Sequence, residues 1–150
     1  MFDEARGERF DVDAALEAGR REASPPLVVL GWSFGTDLVL KYGRQEGVDH
    51  VVLLSPPLRY TSDAELDAWA NSGIPMTVLV PELDDFLRPD EARQRFAVIP
   101  EATVVGVDGA KHLWVGEKHV QLVLDAVATV ALGASVVLPR EWEDDGGEGT

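Results

Sequence analysis

Residues 27–36 read Leu27-Val28-Val29-Leu30-Gly31-Trp32-Ser33-Phe34-Gly35-Thr36. Four apolar residues in succession, with Pro26 before them and Gly31 after, are the pattern of a strand buried on both faces. A helical pattern begins at Thr36 and runs to Gln45, with Gly47 as its stop. The residues between must therefore bend the chain sharply from strand to helix. Glycine at positions 31 and 35 supplies the room for such a bend, and Ser33 stands at its tip. The same turn aims the backbone N–H of Phe34 and the start of the helix at any negative charge that develops beside the serine hydroxyl.

Three more short apolar runs follow, at 51–54, 76–80 and 103–107, each rich in Val or Leu and bounded by Gly or Pro. Helical segments separate them. Ser62 and Glu65 have capping-box spacing, Leu66, Trp69 and Ala70 share a face, and Gly73 closes that segment. Pro89 suits the first turn of the next helix, where Ala92 and Phe96 lie one turn apart. Val120, Val123, Leu124, Val127, Ala128 and Ala131 follow a helical stripe in the last. A further helix is expected from about Asp11. Strand and helix alternating at intervals of roughly 25 residues predict the α/β class: a mostly parallel sheet of about four strands with helices on both faces. Residues 1–138 read as one unit, and 139–150 as an acidic, Gly-rich disordered tail in which Trp142 packs locally.

A serine needs a base and the base an orienting acid, because a free hydroxyl is a poor nucleophile at neutral pH. Both follow in the chain. After the third strand comes Pro81-Glu82-Leu83-Asp84-Asp85-Phe86, and after the fourth comes Asp108-Gly109-Ala110-Lys111-His112-Leu113-Trp114. Functional groups of open parallel sheets gather beyond the carboxyl ends of the strands, where Ser33, Asp84 and His112 can converge. Asp85 is the rival to Asp84 for the acid. His50 and His119 fit no strand-end position and read as structural or solvent-facing. Trp32 and Trp114 are expected to line a substrate pocket, with Phe34 giving the oxyanion-binding N–H.

The Gly31-Trp32-Ser33-Phe34-Gly35 turn, with Asp84 and His112 in that chain order, resembles the α/β-hydrolase superfamily, more narrowly its small bacterial dienelactone-hydrolase-like and acyl-peptidase-like members. The likeness extends from about Phe2 to Leu132. It implies a partial α/β-hydrolase fold and a serine hydrolase acting on ester or related acyl bonds, with no metal and no organic cofactor. In that family the nucleophile strand is the fifth of eight. The first four strands, and the loop that supplies a second oxyanion donor, have no counterpart here, which a shortened reading frame or a fragment accounts for. Strand 27–30 is then left with an exposed apolar edge prone to self-association. Relatives commonly have G-x-x-D where this chain has Pro81-Glu82-Leu83-Asp84. Where many relatives carry a large lid, residues 55–73 hold room for one helix and a loop, implying an open site for short acyl or soluble esters. A catalytically inactive domain that keeps the fold for protein interaction is the alternative.

Composition narrows the remaining classes. A net charge of -14 gives nucleic acid and anionic membranes nothing to attract them. Zero cysteines leave no disulfide framework, thiolate nucleophile or Cys-based zinc site. The apolar stretch 120–138 is broken by Gln121 and Asp125, so it reads as amphipathic rather than membrane-spanning. Met1-Phe2-Asp3-Glu4-Ala5-Arg6-Gly7 has neither the basic patch nor the apolar core of a signal peptide, which implies a cytoplasmic protein. A nucleotide-phosphate loop is disfavoured by the lack of G-x-G-x-x-G and by Leu54-Ser55-Pro56 where an acid would stand.

Overall fold

The computed structural model describes residues 5–22 and 24–141. Its elements run α1 (Arg9–Glu22), β1 (Val28–Trp32), α2 (Phe34–Tyr42), β2 (His50–Leu54), α3 (Asp63–Asp67), β3 (Met76–Pro81), α4 (Pro89–Phe96), β4 (Ala102–Val107) and α5 (Glu117–Leu132). The four strands form one parallel sheet in the order β1-β2-β3-β4. Trp142, the first four residues and the rest of the expected tail from 143 on lie outside the described residues.

The sheet carries helices on both faces, unequally. On one face Val51, Leu53, Met76, Val78 and Val80 pack against Leu16 of α1, Val39 and Leu40 of α2, Leu66 of α3, and Ala92 and Phe96 of α4. On the other, Val52, Leu54, Leu79 and Val107 meet α5 alone, through Leu122, Val123, Ala126, Val127 and Val130. This contact stripe is rotated from the expected one: Val120 and Leu124 stay 47% and 48% exposed. Apolar residues lie nearly all round α5, so periodicity alone does not decide which stripe is buried.

β1 is an edge strand, and half-exposed rather than buried on both faces. Leu27 O accepts from Asp49 N and Ser33 N donates to Leu54 O, so the odd-numbered residues of β1 bond toward β2. Backbone groups of Val28, Leu30 and Trp32 therefore face the open side. Leu30 and Trp32 are 44% and 48% exposed because, among the described residues, no helix covers that part of the α5 face.

Helix boundaries follow local chemistry. The capping box forms as read, with Ser62 Oγ accepting from Glu65 N and Glu65 Oε2 accepting from Ser62 N. Pro89 sits in the first turn of α4. α3 is shorter than expected: beyond Asp67 the chain tightens into three-residue turns and Asn71, with φ 69, reverses it before Gly73. α2 stops at Tyr42, and Gly43 rather than Gly47 is its C-cap. A Cβ at Gly43 would lie 2.7 Å from Val39 O. Among the described residues no helix is long and apolar enough to cross a membrane.

Candidate active site

The turn between β1 and α2 is tight, and one glycine is forced by it. A Cβ on Gly31 would stand 2.6 Å from the Gly35 carbonyl oxygen and 2.9 Å from Thr36 Cα, both backbone atoms with no freedom to move. Gly35 differs from expectation, since a Cβ there meets nothing within 4 Å. Gly31→Ala is therefore expected to cost about 1–3 kcal/mol of stability, visible as a lowered midpoint in urea, while Gly35→Ala costs less. Ser33 itself has φ 51 and ψ -121, a conformation that L-residues avoid. Such strain persists only where the surroundings over-determine it, and it clusters at functional sites.

Three loops at the carboxyl ends of the strands then bring three side chains together. Ser33 Oγ lies 2.8 Å from His112 Nε2. His112 Nδ1 lies 2.8 Å from Asp84 Oδ2. The second oxygen of Asp84 accepts from the backbone N–H of Phe86 at 2.8 Å and of Leu87 at 3.4 Å, so an Asx-type turn fixes the carboxylate. Asp84 is 2% exposed, whereas Asp85 is exposed and takes no part. An ionised carboxylate only accepts, so His112 Nδ1 carries the proton and Nε2 accepts from the Ser33 hydroxyl.

Ser55, at the end of β2, is a member of this site that the sequence reading did not single out. Its hydroxyl is fully buried and donates to the His112 carbonyl at 3.0 Å. The Trp32 indole N–H reaches the same carbonyl at 3.4 Å. The Phe86 ring lies 4.8 Å from the imidazole, tilted at 59°. His112 is thus held from its backbone, its ring face and its Nδ1. Ser55 occupies a strand-end position like Ser33, Asp84 and His112, and that position was its only signal.

A concavity of about 230 Å³ opens beside the Ser33 hydroxyl, lined by Phe34, Asp37, Pro57, Arg59, Tyr60 and Phe86. Its size is below the usual range for ligand pockets, which fits small ligands. Trp32 and Trp114, expected there, instead line a separate apolar groove with Leu54, Leu113, Val123 and Leu124 between the β1 edge and α5. The reason is the pleat: alternate residues of β1 face opposite sides, and Trp32 points to the α5 side. Phe34 opens α2, and its N–H belongs to the first helical turn, beyond the reach of any carbonyl of its own helix. Between β2 and β3 the only helix is the five-residue α3, so no extended lid covers the concavity from that segment. His50 hydrogen-bonds Thr77 Oγ1 at the opposite end of the sheet, and burial holds its pKa below the ordinary value. His119 Nδ1 bonds the Val115 carbonyl. Among the described residues no group of three His, Asp or Glu side chains stands ready to hold a metal.

The fold is shared with known structures. Solved structures similar to it include the esterase domain of a Rhodothermus marinus protein, with a TM-score of 0.70 and 17% identity over 84% of this chain and 68% of that one. An α/β serine hydrolase homologue from Coxiella burnetii matches at a TM-score of 0.70 and 18% identity, over 87% and 62% of the two chains. A serine hydrolase without lid from Xanthomonas campestris matches at 0.68 and 19%, over 93% and 62%. The fold is that of the α/β-hydrolase superfamily. The chain spans 62% to 68% of the length of these three structures. No protein-family model and no curated protein matches the sequence.

Proposed function

We propose that this chain is a serine hydrolase of short ester or related acyl bonds, with Ser33 as nucleophile, His112 as base and Asp84 as the acid that orients it. The observation that carries the reading is the unbroken path of two 2.8 Å contacts, from Ser33 Oγ through the imidazole to Asp84. In the reaction Ser33 Oγ attacks the carbonyl carbon and its proton passes to His112 Nε2. The oxyanion that forms receives the Phe34 N–H. Collapse breaks the bond to the leaving alcohol, which takes the proton from His112, and leaves an acyl group on Ser33. A water then attacks the acyl carbon, giving its proton to His112, and release of the acid restores the hydroxyl. Asp84 holds the imidazole in the tautomer that can accept and stabilises the imidazolium, without taking the proton itself.

The small concavity and the short α3 segment predict a chain-length limit. Hydrolysis of nitrophenyl esters by the purified protein is expected to be highest for two- to four-carbon acyl groups and to fall at least about tenfold by eight carbons, as added methylenes find no room. A preference for the longer esters contradicts the open, short-acyl site.

One observation favours a second reading, a non-catalytic domain that self-associates. Among the described residues no strand pairs with the outer edge of β1, which runs beside the half-exposed side chains of Leu30 and Trp32, and such an edge is the usual template for pairing with another chain. Light scattering that shows a concentration-dependent mass, in a protein without esterase activity, supports that reading.

A further inference from the structure

Arg59 is one of several cations in this acidic chain with no carboxylate partner among the described residues, and it is the one that lines the Ser33 concavity. The protein has 27 Asp and Glu against 13 Lys and Arg, yet among the described residues no carboxylate lies within 4 Å of the Arg59 guanidinium. Aromatic faces hold it instead: its Cζ lies 5.8 Å from the centre of the Tyr60 ring and 6.0 Å from that of Phe86. Phe86 in turn packs on His112, and Tyr60 meets the Phe34 ring edge-on at 5.8 Å. Arg59 and Ser33 line the same concavity. Arg59 is also shared with a neighbouring hollow into which Arg6 and Lys41 face.

The acids nearby each hold at least one partner, although Asp37 Oδ2 is buried without one among the described residues. Asp84 is bound to His112 and two backbone N–H groups. Asp37, fully buried on the inner wall, accepts from Tyr60 N at 3.2 Å and Thr61 Oγ1 at 2.5 Å. Glu65 is paired with Lys41 at 2.8 Å. The guanidinium at the mouth is left to meet an anion from solution, and its planar fork suits carboxylate or phosphate oxygens.

We propose that the substrate carries a carboxylate or a phosphate on the arm that fills the Ser33 concavity, and that Arg59 is the residue that reads it. The proposal rests on the hydrolase reading and adds a substrate class to it. A space of 230 Å³ is about eight water volumes, which sets the anion roughly two to four carbons from the scissile carbonyl.

The test compares two methyl esters with the same leaving group and nearly the same acyl volume, methyl hydrogen succinate and methyl butanoate, on the full chain. The ratio of their kcat/KM values is expected to favour succinate by about tenfold at low salt and to shrink in 1 M NaCl. In Arg59→Glu the ratio falls below one, and Arg59→Lys keeps part of it. Because a ratio cancels general losses of activity, a damaged variant still informs. A wild-type ratio at or below one, or a ratio that Arg59→Glu leaves unchanged, overturns the proposal. If neither ester turns over, calorimetric titration of Ser33→Ala protein, with and without Arg59→Ala, uses monomethyl succinate and methyl phosphate as ligands. Binding that depends on Arg59 sustains the anion site while the hydrolase reading falls, and the tighter ligand separates carboxylate from phosphate. Binding indifferent to Arg59, or none, overturns the anion site itself.

Discussion

Ester hydrolysis is expected to fall about 10⁴–10⁶-fold in Ser33→Ala and in His112→Ala, and about 10⁴-fold in Asp84→Asn. The three values are linked by geometry. In the proposed reaction Ser33 and His112, 2.8 Å apart, each touch the proton in flight, so removing either would leave only binding and the Phe34 N–H to speed it. Asp84→Asn keeps the volume and one acceptor oxygen. It places an amide N–H against His112 Nδ1, favouring the tautomer in which Nε2 carries the proton and cannot accept one from Ser33. Asp85→Asn, only one residue away, is expected to change kcat/KM by less than about twofold, because Asp85 is exposed and outside the hydrogen-bonded path. Steady-state rates of the four variants check this directly. Equal losses at Asp84 and Asp85 would mean that the loop, and not one carboxylate, matters. Double replacement of Ser33 and His112 is expected to cost little more than either alone, since the pair acts as a unit.

The second large effect concerns the fold. Trp69→Ala is expected to remove about 3–5 kcal/mol, much of the whole stability of a domain this size. Trp69 is fully buried in the core on the α1–α4 face of the sheet, and its indole N–H donates to the Leu40 carbonyl of α2 at 2.9 Å. Truncation therefore leaves a cavity and takes a partner from a buried acceptor. Trp69→Phe keeps one aromatic ring but loses the donor and part of the indole volume, so an intermediate loss of about 2–3 kcal/mol is expected. Urea denaturation followed by circular dichroism reads both. Near-equal losses would show that the ring kept by phenylalanine contributes little at this corner.

Local features were legible where the physics is local. The strands at β1 to β4 announced themselves because Val and Leu runs between Gly and Pro allow little else. The Ser62–Glu65 box and Pro89 set helix starts through contacts three or four residues long. The approach of Ser33, Asp84 and His112 was readable because strand ends of a parallel sheet lie side by side, so chain order sufficed. What escaped depends on how loops settle against each other. Whether Asp84 or Asp85 faced the imidazole turned on an Asx-type turn that two adjacent aspartates share equally in sequence. Arg59, Phe86 and Tyr60 come from different loops, and no spacing foretells their stacking. Trp32 and Trp114 line a groove on the α5 face and not the Ser33 concavity, because proximity in sequence to Ser33 and His112 says nothing of which sheet face receives them. For α5 the buried stripe shares Val123 and Val127 with the expected one but is rotated from it, since nearly every face of that helix is apolar.

Labelling with a fluorophosphonate, followed by peptide mass spectrometry, tests the central claim most directly. An activated serine reacts and an ordinary one does not. The adduct is expected on Ser33 alone, formed rapidly by the unmodified chain and lost in His112→Ala although the hydroxyl is still there. No adduct on Ser33, or one that forms equally fast without the His112 imidazole, contradicts the account.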